Sequence, residues 1–368
     1  MKDSAGTKRV HEPLFHVVKR DELSGLKSIL VRAAAILAAV IVSSLVVVFA
    51  EKVSPVGYFK SMFRGAFSTP TLLWSFLHDA ALLLCVAVAL TPAFKMRFWN
   101  IGGEGQVLVG GLASIACMFY LRGRIPNPLL WVIMIAAGLL AGAVWALFPA
   151  LCKAKWNTNE TLFTLMMNYI AIQLVCFALD TWVKSGSGVM EPMHDYGLPE
   201  VGNKWLLNIL IILALTVFMF IYLKFSKHGY EISVVGESEN TARYIGINVK
   251  KVIIRTVLIS GMLCGLAGVL ICGGINHTIS TTAAKGRGFT AILVSWLAKF
   301  NPLYMVLTSL LIVFFQKGAI QVKSDFNISD VSDITTAIIL FFIVGCEFFL
   351  RYKIVFRKHN QKEEIGND

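Results

Sequence analysis

The sequence predicts an all-α polytopic membrane protein, and three observations support this fold class. Of the 368 residues, 56% are apolar and only 15% are charged, whereas soluble domains are about half apolar and a quarter charged. The apolar residues form continuous runs about long enough to cross a 30 Å hydrocarbon layer. These runs lack the alternation of apolar and polar residues that a transmembrane β-barrel requires. Water-soluble, fibrous and disordered proteins are therefore excluded.

The apolar runs predict a bundle of about ten transmembrane helices, because backbone polar groups in lipid must bond within their own segment. The runs are 29–50, 72–94, 104–121, 129–152, 160–182, 205–223, 252–275, 288–298, 303–316 and 333–350. Two pairs of glycines inside them predict close helix packing, because small residues four positions apart share one helix face. These pairs are Gly138 with Gly142 and Gly261 with Gly265.

Two of the runs are short and allow two interpretations. A helix over 288–298 reaches only about 16 Å at 1.5 Å per residue, which is too short for a full span. In one interpretation, 288–298 and 303–316 each cross the membrane as a tilted span. In the other, each goes partway and the two half-helices meet at Asn301–Pro302, as in membrane proteins that line a polar cavity.

The basic residues predict the topology. Lys and Arg exceed Asp and Glu by 12 and cluster in the segments between and beyond the apolar runs. Cytoplasmic loops collect such charges, so we expect a cytoplasmic N-terminal tail over 1–28, a transmembrane domain over 29–350 and a cytoplasmic C-terminal tail over 351–368. The longest internal basic loop is 226–254. The partner implied by this charge is the bilayer of the cell membrane and not nucleic acid.

Motifs of catalysis and metal binding are missing from the sequence. It contains no Gly-Lys dipeptide, which excludes a Walker A loop, and neither HExxH nor GxSxG occurs. The seven cysteines lie in or beside apolar runs without metal-ligand spacing, as small apolar residues do. We therefore expect no enzyme activity, no metal and no cofactor.

A few ionisable residues interrupt the apolar runs, and each is costly at membrane depth. They are His78, Asp79, Glu104, Glu160, Asp180 and Glu347. Asn157 and Glu160 have the spacing of a capping box, and Glu347 is placed to pair with Arg351. His78 and Asp79 allow either a functional role inside the bundle or a structural one.

The stretch from Asn100 to Gln106 is the strongest candidate site. It contains Gly102, Gly103 and Glu104, and the glycines permit a tight turn or a close backbone approach. Asn, Glu and Gln side chains could bind a polar ligand. Alternatively the stretch is a helix start, with Asn100 as N-cap and Glu104 in the first turn.

The basic loop predicts one short helix of its own. Ser238 can cap a helix that passes through Tyr244 and ends at Gly246. Such an amphipathic helix between two spans suits the membrane surface or a groove in a partner.

Four stretches together resemble the permease subunits of ATP-binding-cassette (ABC) importers, in the superfamily that carries ribose, branched-chain amino acids and nucleosides. They are Trp99–Gln106, 159–171, Gly236–Asn248 and Gly286–Pro302, in the family's order. The first is most similar to the nucleoside branch. Departures from the family pattern are Glu237 with Ser238, Thr241, Ser295 and Lys299.

The resemblance implies a transport subunit with no ATPase activity of its own. It implies three partners: a separate ABC ATPase, a second related permease in a heterodimer or homodimer, and a lipid-anchored substrate-binding protein. The substrate pathway would include Asn100, Gly102, Gly103, Glu104, Gln106 and Asn168. The ATPase would dock on Gly236, Glu237, Asn240, Ala242, Arg243, Tyr244 and Gly246.

The implied substrate is a small neutral polar solute, with nucleosides ahead of ribose-like sugars. A neutral ligand would need no arginine clamp. The alternative is an ion-coupled secondary transporter, which needs intramembrane carboxylates or histidines as an ion relay. His78, Asp79 and Glu104 could supply that relay.

Overall fold

The computed structural model describes residues 15–19, 25–51, 54–183, 189–200, 202–327, 334, 337–338, 341–342, 345–346, 348–350 and 352–356. Within these residues the chain is almost entirely helical, which confirms the predicted fold class. Among the residues that the structure describes, eight helices are long and apolar enough to cross a membrane. The predicted total of about ten spans stays a prediction, because most of 333–350 lies outside the described residues.

The long helices match the predicted runs with small extensions, except that the run 303–316 extends to residue 326, and the helices over 55–67 and 227–237 match no predicted run. The helices are α1 (Gly25–Glu51), α2 (Pro55–Phe67), α3 (Pro70–Lys95), α4 (Gly103–Leu121), α5 (Asn127–Trp156), α6 (Glu160–Trp182), α7 (Leu206–Phe225), α8 (Lys227–Glu237), α9 (Glu239–Tyr244), α10 (Val249–Ile271), α11 (Arg287–Leu297) and α12 (Pro302–Phe326). A 3₁₀ turn covers His194–Tyr196, and a π-helical turn over Cys272–Asn276 extends α10. Two strands are also present, β1 (Phe15–Lys19) and β2 (Tyr352–Phe356).

Short polar side chains begin several of these helices. The Thr69 hydroxyl accepts a hydrogen bond from the Leu72 N–H, and Pro70 occupies the first turn of α3. The Asn248 side chain caps α10 in the same way. Side-chain oxygens satisfy backbone N–H groups that have no partner within the helix.

The chain divides into two compact units. One comprises Met1–Pro55 with Asp333–Asp368, and the other comprises Val56–Ser332. In the first unit, β1 and β2 pair antiparallel, with Phe15 opposite Phe356. Both segments lie in or beside the stretches predicted as cytoplasmic tails, where no strand was expected.

In the second unit, glycines bring α4, α5 and α10 into backbone contact. A Cβ atom on Gly142 would overlap the carbonyl oxygen of Gly261, and one on Gly265 would overlap that of Gly138. A Cβ atom on Gly110 of α4 would overlap the backbone of Gly265. The predicted close packing at these glycines is therefore confirmed, and these contacts, the glycine seams, join α10 to α5 and α4.

The two short runs differ from each other, so neither interpretation holds for both of them. Helix α11 has 11 residues and is too short to span, as the half-helix interpretation requires. Helix α12 has 25 residues and is long enough to cross the membrane. The apolar run stops before Lys317, but the helix continues to Phe326, and Lys317 forms an ion pair with Asp79.

The capping box predicted at Asn157 is also wrong. Asn157 has a φ of 51° and ends α5 in the left-handed conformation. The side chain of Asn159 caps α6 instead, by accepting from the Leu162 N–H. Glu160 forms an ion pair with Lys153 at 2.9 Å. A left-handed residue leaves room for a tight turn of three residues between α5 and α6.

Candidate functional site

The candidate site is the turn between α3 and α4, which is buried in the second unit. Asn100 and Gln106 are 0% and 1% exposed, and their side-chain amides pair at 3.3 Å. The Asn100 oxygen also accepts from the Gly102 N–H at 3.0 Å. Gly102 is the N-cap of α4, so the prediction of Asn100 at that position is wrong. Glu104 lies in the first turn, as predicted.

Helix α6 holds this turn through its polar face. Asn168 donates to the Ile101 carbonyl at 3.0 Å and accepts from the Gly105 N–H at 2.8 Å. Thr164 accepts from the Ile101 N–H at 3.1 Å. The structure therefore brings Asn168 to the predicted turn. Thr164 was not among the predicted site residues, although it lies four residues before Asn168 and so on the same helix face.

Glu104 bridges the starts of two helices. Its carboxylate accepts from the Gly286 N–H at 2.8 Å and from the Gly288 N–H at 2.7 Å. Helix α11 packs so closely here that a Cβ atom on Gly288 would overlap the Glu104 backbone. The carboxylate lies at the N-termini of both α4 and α11, where helix dipoles favour negative charge. These contacts explain how a buried carboxylate is accommodated.

A charge cluster lies beside the same end of α11. Asp79 of α3 forms ion pairs with Arg287 of α11 at 2.7 Å and with Lys317 of α12 at 2.6 Å. Lys317 also donates to the Ser75 hydroxyl at 2.9 Å. Asp79 was a candidate from the sequence, whereas its two cationic partners were not predicted. The available signal was that Arg287 and Lys317 border the two short apolar runs.

His78 has different neighbours from Asp79. The ring is buried, and its Nε2 lies 3.4 Å from the side-chain nitrogen of Asn208. Asn208 in turn donates to the Leu270 carbonyl at 3.2 Å. His78 therefore connects α3 to α7 and α10, whereas Asp79 connects α3 to α11 and α12. His78 and Asp79 thus contact different helices, and this arrangement does not favour an ion relay that both residues share.

The short helix predicted in the basic loop is present as α9. The Ser238 hydroxyl accepts from the Thr241 N–H, and Gly246 has a φ of 84° just beyond the helix end. The seven predicted docking residues divide by burial. Gly236 and Ala242 are buried, whereas Glu237, Asn240, Arg243, Tyr244 and Gly246 are exposed.

Helix α8, which directly precedes α9, contacts both α3 and α10. A Cβ atom on Gly236 would overlap the Lys95 carbonyl oxygen, so the end of α8 lies against the end of α3. Arg255 of α10 donates to Glu231 of α8 at 2.8 Å. This hydrogen bond lowers the pKa of the Glu231 carboxyl below its usual range. The ion pair therefore joins α8 to α10, the two helices that flank α9 in the chain.

Comparison with known proteins identifies the family. Residues 72–344 match the family described as branched-chain amino acid transport system / permease component. The chain belongs to this family. The matched residues include the turn between α3 and α4, helix α9 and the charge cluster. It confirms the resemblance drawn from the sequence motifs.

Individual relatives align over most of their length. A glucose ABC transporter permease protein of Haloferax volcanii is 27% identical over 87% of this chain and 88% of that protein. A guanosine ABC transporter permease protein of Bacillus subtilis is 28% identical, with 78% and 85% covered. A nucleoside ABC transporter permease protein of Lactococcus lactis is 26% identical, with 81% and 86% covered.

The permease is therefore a multi-pass membrane component of an ABC transporter. It is a transport subunit and not an enzyme, as predicted. Membership in the family implies an ATPase partner, because ABC permease subunits do not hydrolyse ATP themselves. The ion-coupled alternative is not favoured by these relatives.

Proposed function

We propose that the permease is one transmembrane half of an importer for nucleosides, with ribose-like sugars as the second substrate class. The observation that carries the proposal is the similarity to guanosine and nucleoside permeases, which covers about four-fifths of this chain. The glucose permease relative supports keeping the sugar class as the alternative.

The substrate pathway in this proposal passes the turn between α3 and α4. Its residues are Asn100, Gly102, Gly103, Glu104, Gln106 and Asn168. In this structure the amides of Asn100, Gln106 and Asn168 bond to one another or to the turn. In this proposal they bind a neutral nucleoside by exchanging these bonds for its hydroxyl groups and base edges, because each amide offers both donors and an acceptor. The one carboxylate among them is already bonded to α11. That bonding supports a neutral ligand.

The partners in this proposal are an ABC ATPase, a second related permease and a lipid-anchored substrate-binding protein. The ATPase docks on the exposed residues of α9, next to the basic residues of the 226–254 loop. By the positive-inside rule, this side and both termini are cytoplasmic. The binding protein delivers substrate on the opposite side of the membrane.

The transport step follows from these contacts. ATP binding closes the ATPase dimer, and α9 moves with it as a lever. Its motion passes to α3 through the contact of Gly236 with Lys95, and to α10 through Glu231 and Arg255. The turn at Asn100 follows α3 directly in the chain. The pathway then opens alternately to each side of the membrane.

The energy source tests the proposal against the ion-coupled alternative. The assay uses membrane vesicles from cells that express the complete transporter. We expect vanadate, which blocks ABC ATPases, to stop the uptake of tritiated guanosine into these vesicles. A protonophore added to vesicles with ATP held constant should leave uptake unchanged. Vanadate-resistant uptake that a protonophore abolishes would contradict the proposal. Tritiated adenosine, uridine and ribose, measured in parallel, identify the substrate class.

A further inference from the structure

The charge cluster connects three helices through one carboxylate. Each oxygen of Asp79 accepts one cation: Oδ1 pairs with Arg287 at 2.7 Å and Oδ2 with Lys317 at 2.6 Å. Arg287 is the first residue of α11, and Lys317 lies in the second half of α12. Both helices are therefore joined to α3 at the same point.

The three side chains are largely removed from solvent. Arg287 is 11% exposed, and Asp79 and Lys317 are 22% and 21% exposed. A charge at this depth in a membrane protein is expensive unless it is paired. Lys317 keeps a second partner, the Ser75 hydroxyl, whereas Arg287 is the most buried of the three. Arg287 should therefore depend on Asp79 more than Lys317 does.

The start of α11 is bound from two sides. The carboxylate of Glu104 binds the N–H groups of Gly286 and Gly288, and Asp79 binds the side chain of Arg287 between them. The first turn of α11 lies inside the protein, where Gly288 is buried and donates to Glu104. The position of this half-helix is thus fixed by two carboxylates from α3 and α4.

We propose that Asp79 is a positioning residue for transport, which holds the α11–α12 pair in place against α3. The inference rests on the proposed function, because it assigns a role within the transport cycle. The carboxylate lets both helices move with α3 when α9 drives it. Without the carboxylate, two buried cations repel each other and the start of α11 shifts away from the turn at Asn100. Asp79 itself does not bind substrate.

The experiment compares four forms of the permease in the complete transporter. They are the wild type, Asp79→Asn, the double variant Asp79→Asn with Arg287→Gln, and the control Asp180→Asn. Asp180 is exposed near the end of α6, so the control makes the same chemical change outside the cluster. Uptake of tritiated guanosine is normalised to the amount of permease in the membrane. Hydrogen exchange of the α11 amides is measured on the purified transporter in lipid nanodiscs.

We expect Asp79→Asn to lower maximal uptake by about tenfold or more, because a buried pair loses one member. The KM for guanosine should stay within about twofold of the wild type, since ground-state binding is not altered. Exchange of the α11 amides should accelerate. Adding Arg287→Gln should restore uptake by about threefold, because the most buried unpaired cation is gone. The control should match the wild type.

Two results would overturn the inference. One is wild-type uptake and wild-type α11 exchange in Asp79→Asn. The other is a double variant that is no better than Asp79→Asn, which would indicate a generally damaged bundle. Failure of the proposed function looks different, because the wild type itself would then take up no guanosine. The exchange comparison needs no substrate and decides the positioning role in that case.

Discussion

Replacing Glu104 with alanine is expected to lower guanosine uptake at least tenfold while the ATPase stays bound. The change removes the acceptor for two N–H groups at the start of α11 and leaves them unpaired inside the protein. An unsatisfied buried donor costs about 1–3 kcal/mol, so losing two acceptor bonds displaces α11 from the turn at Asn100. Uptake normalised to membrane protein and co-purification of the ATPase are the two measurements.

Three further variants sharpen this prediction. Glu104→Gln keeps one acceptor oxygen and should lose less uptake than Glu104→Ala. Asn100→Ala should also lower uptake, because it removes the partner of Gln106 and of the Gly102 N–H. Glu191→Ala changes an exposed carboxylate and should match the wild type. Wild-type uptake in both Glu104→Ala and Asn100→Ala would reject the assignment of the pathway.

Replacing Tyr244 with alanine is the second change with a large expected effect, and it acts on the ATPase contact. Tyr244 is 92% exposed at the end of α9, beyond any apolar run. Aromatic residues buried on binding often contribute about 2 kcal/mol or more to an interface. We therefore expect ATPase binding to weaken by about tenfold or more, and uptake to fall with it.

The control for this variant is Tyr304→Ala. Tyr304 is exposed to 60% but lies on α12, outside the proposed docking residues. Binding of the purified ATPase to the permease in nanodiscs measures the effect directly. Because the Tyr244 side chain is almost fully exposed, its removal should not change the thermal stability of the permease. Undiminished ATPase binding in Tyr244→Ala would exclude α9 as the docking site.

The spans and α9 could be predicted because their signals are local. Apolar runs set the positions of the long helices, and Ser238 and Gly246 mark the two ends of α9. The turn at Asn100 was also visible as a motif. The predicted cap at Asn157 failed because two asparagines compete at that turn, and only Asn159 reaches the α6 amide.

The contacts of the site could not be predicted, because they join residues far apart in the chain. Asp79 and Arg287 are 208 residues apart, and Glu104 and Gly288 are 184 residues apart. A charged residue next to an apolar run, such as Lys317, predicts the end of a membrane span. That prediction fails where a partner distant in the sequence neutralises the charge, as Asp79 does here. The pairing of β1 with β2 depends in the same way on segments from opposite ends of the sequence.

The glycine seams bear on where the transporter changes shape. Helices α4, α5 and α10 touch through backbone atoms at Gly110, Gly138, Gly142, Gly261 and Gly265. Such contacts have no side-chain rotamers to rearrange, so a small slide between these helices meets immediate steric overlap. The three helices should behave as one rigid block. The deformation that opens and closes the permease then falls at its boundaries, where longer side chains can exchange partners.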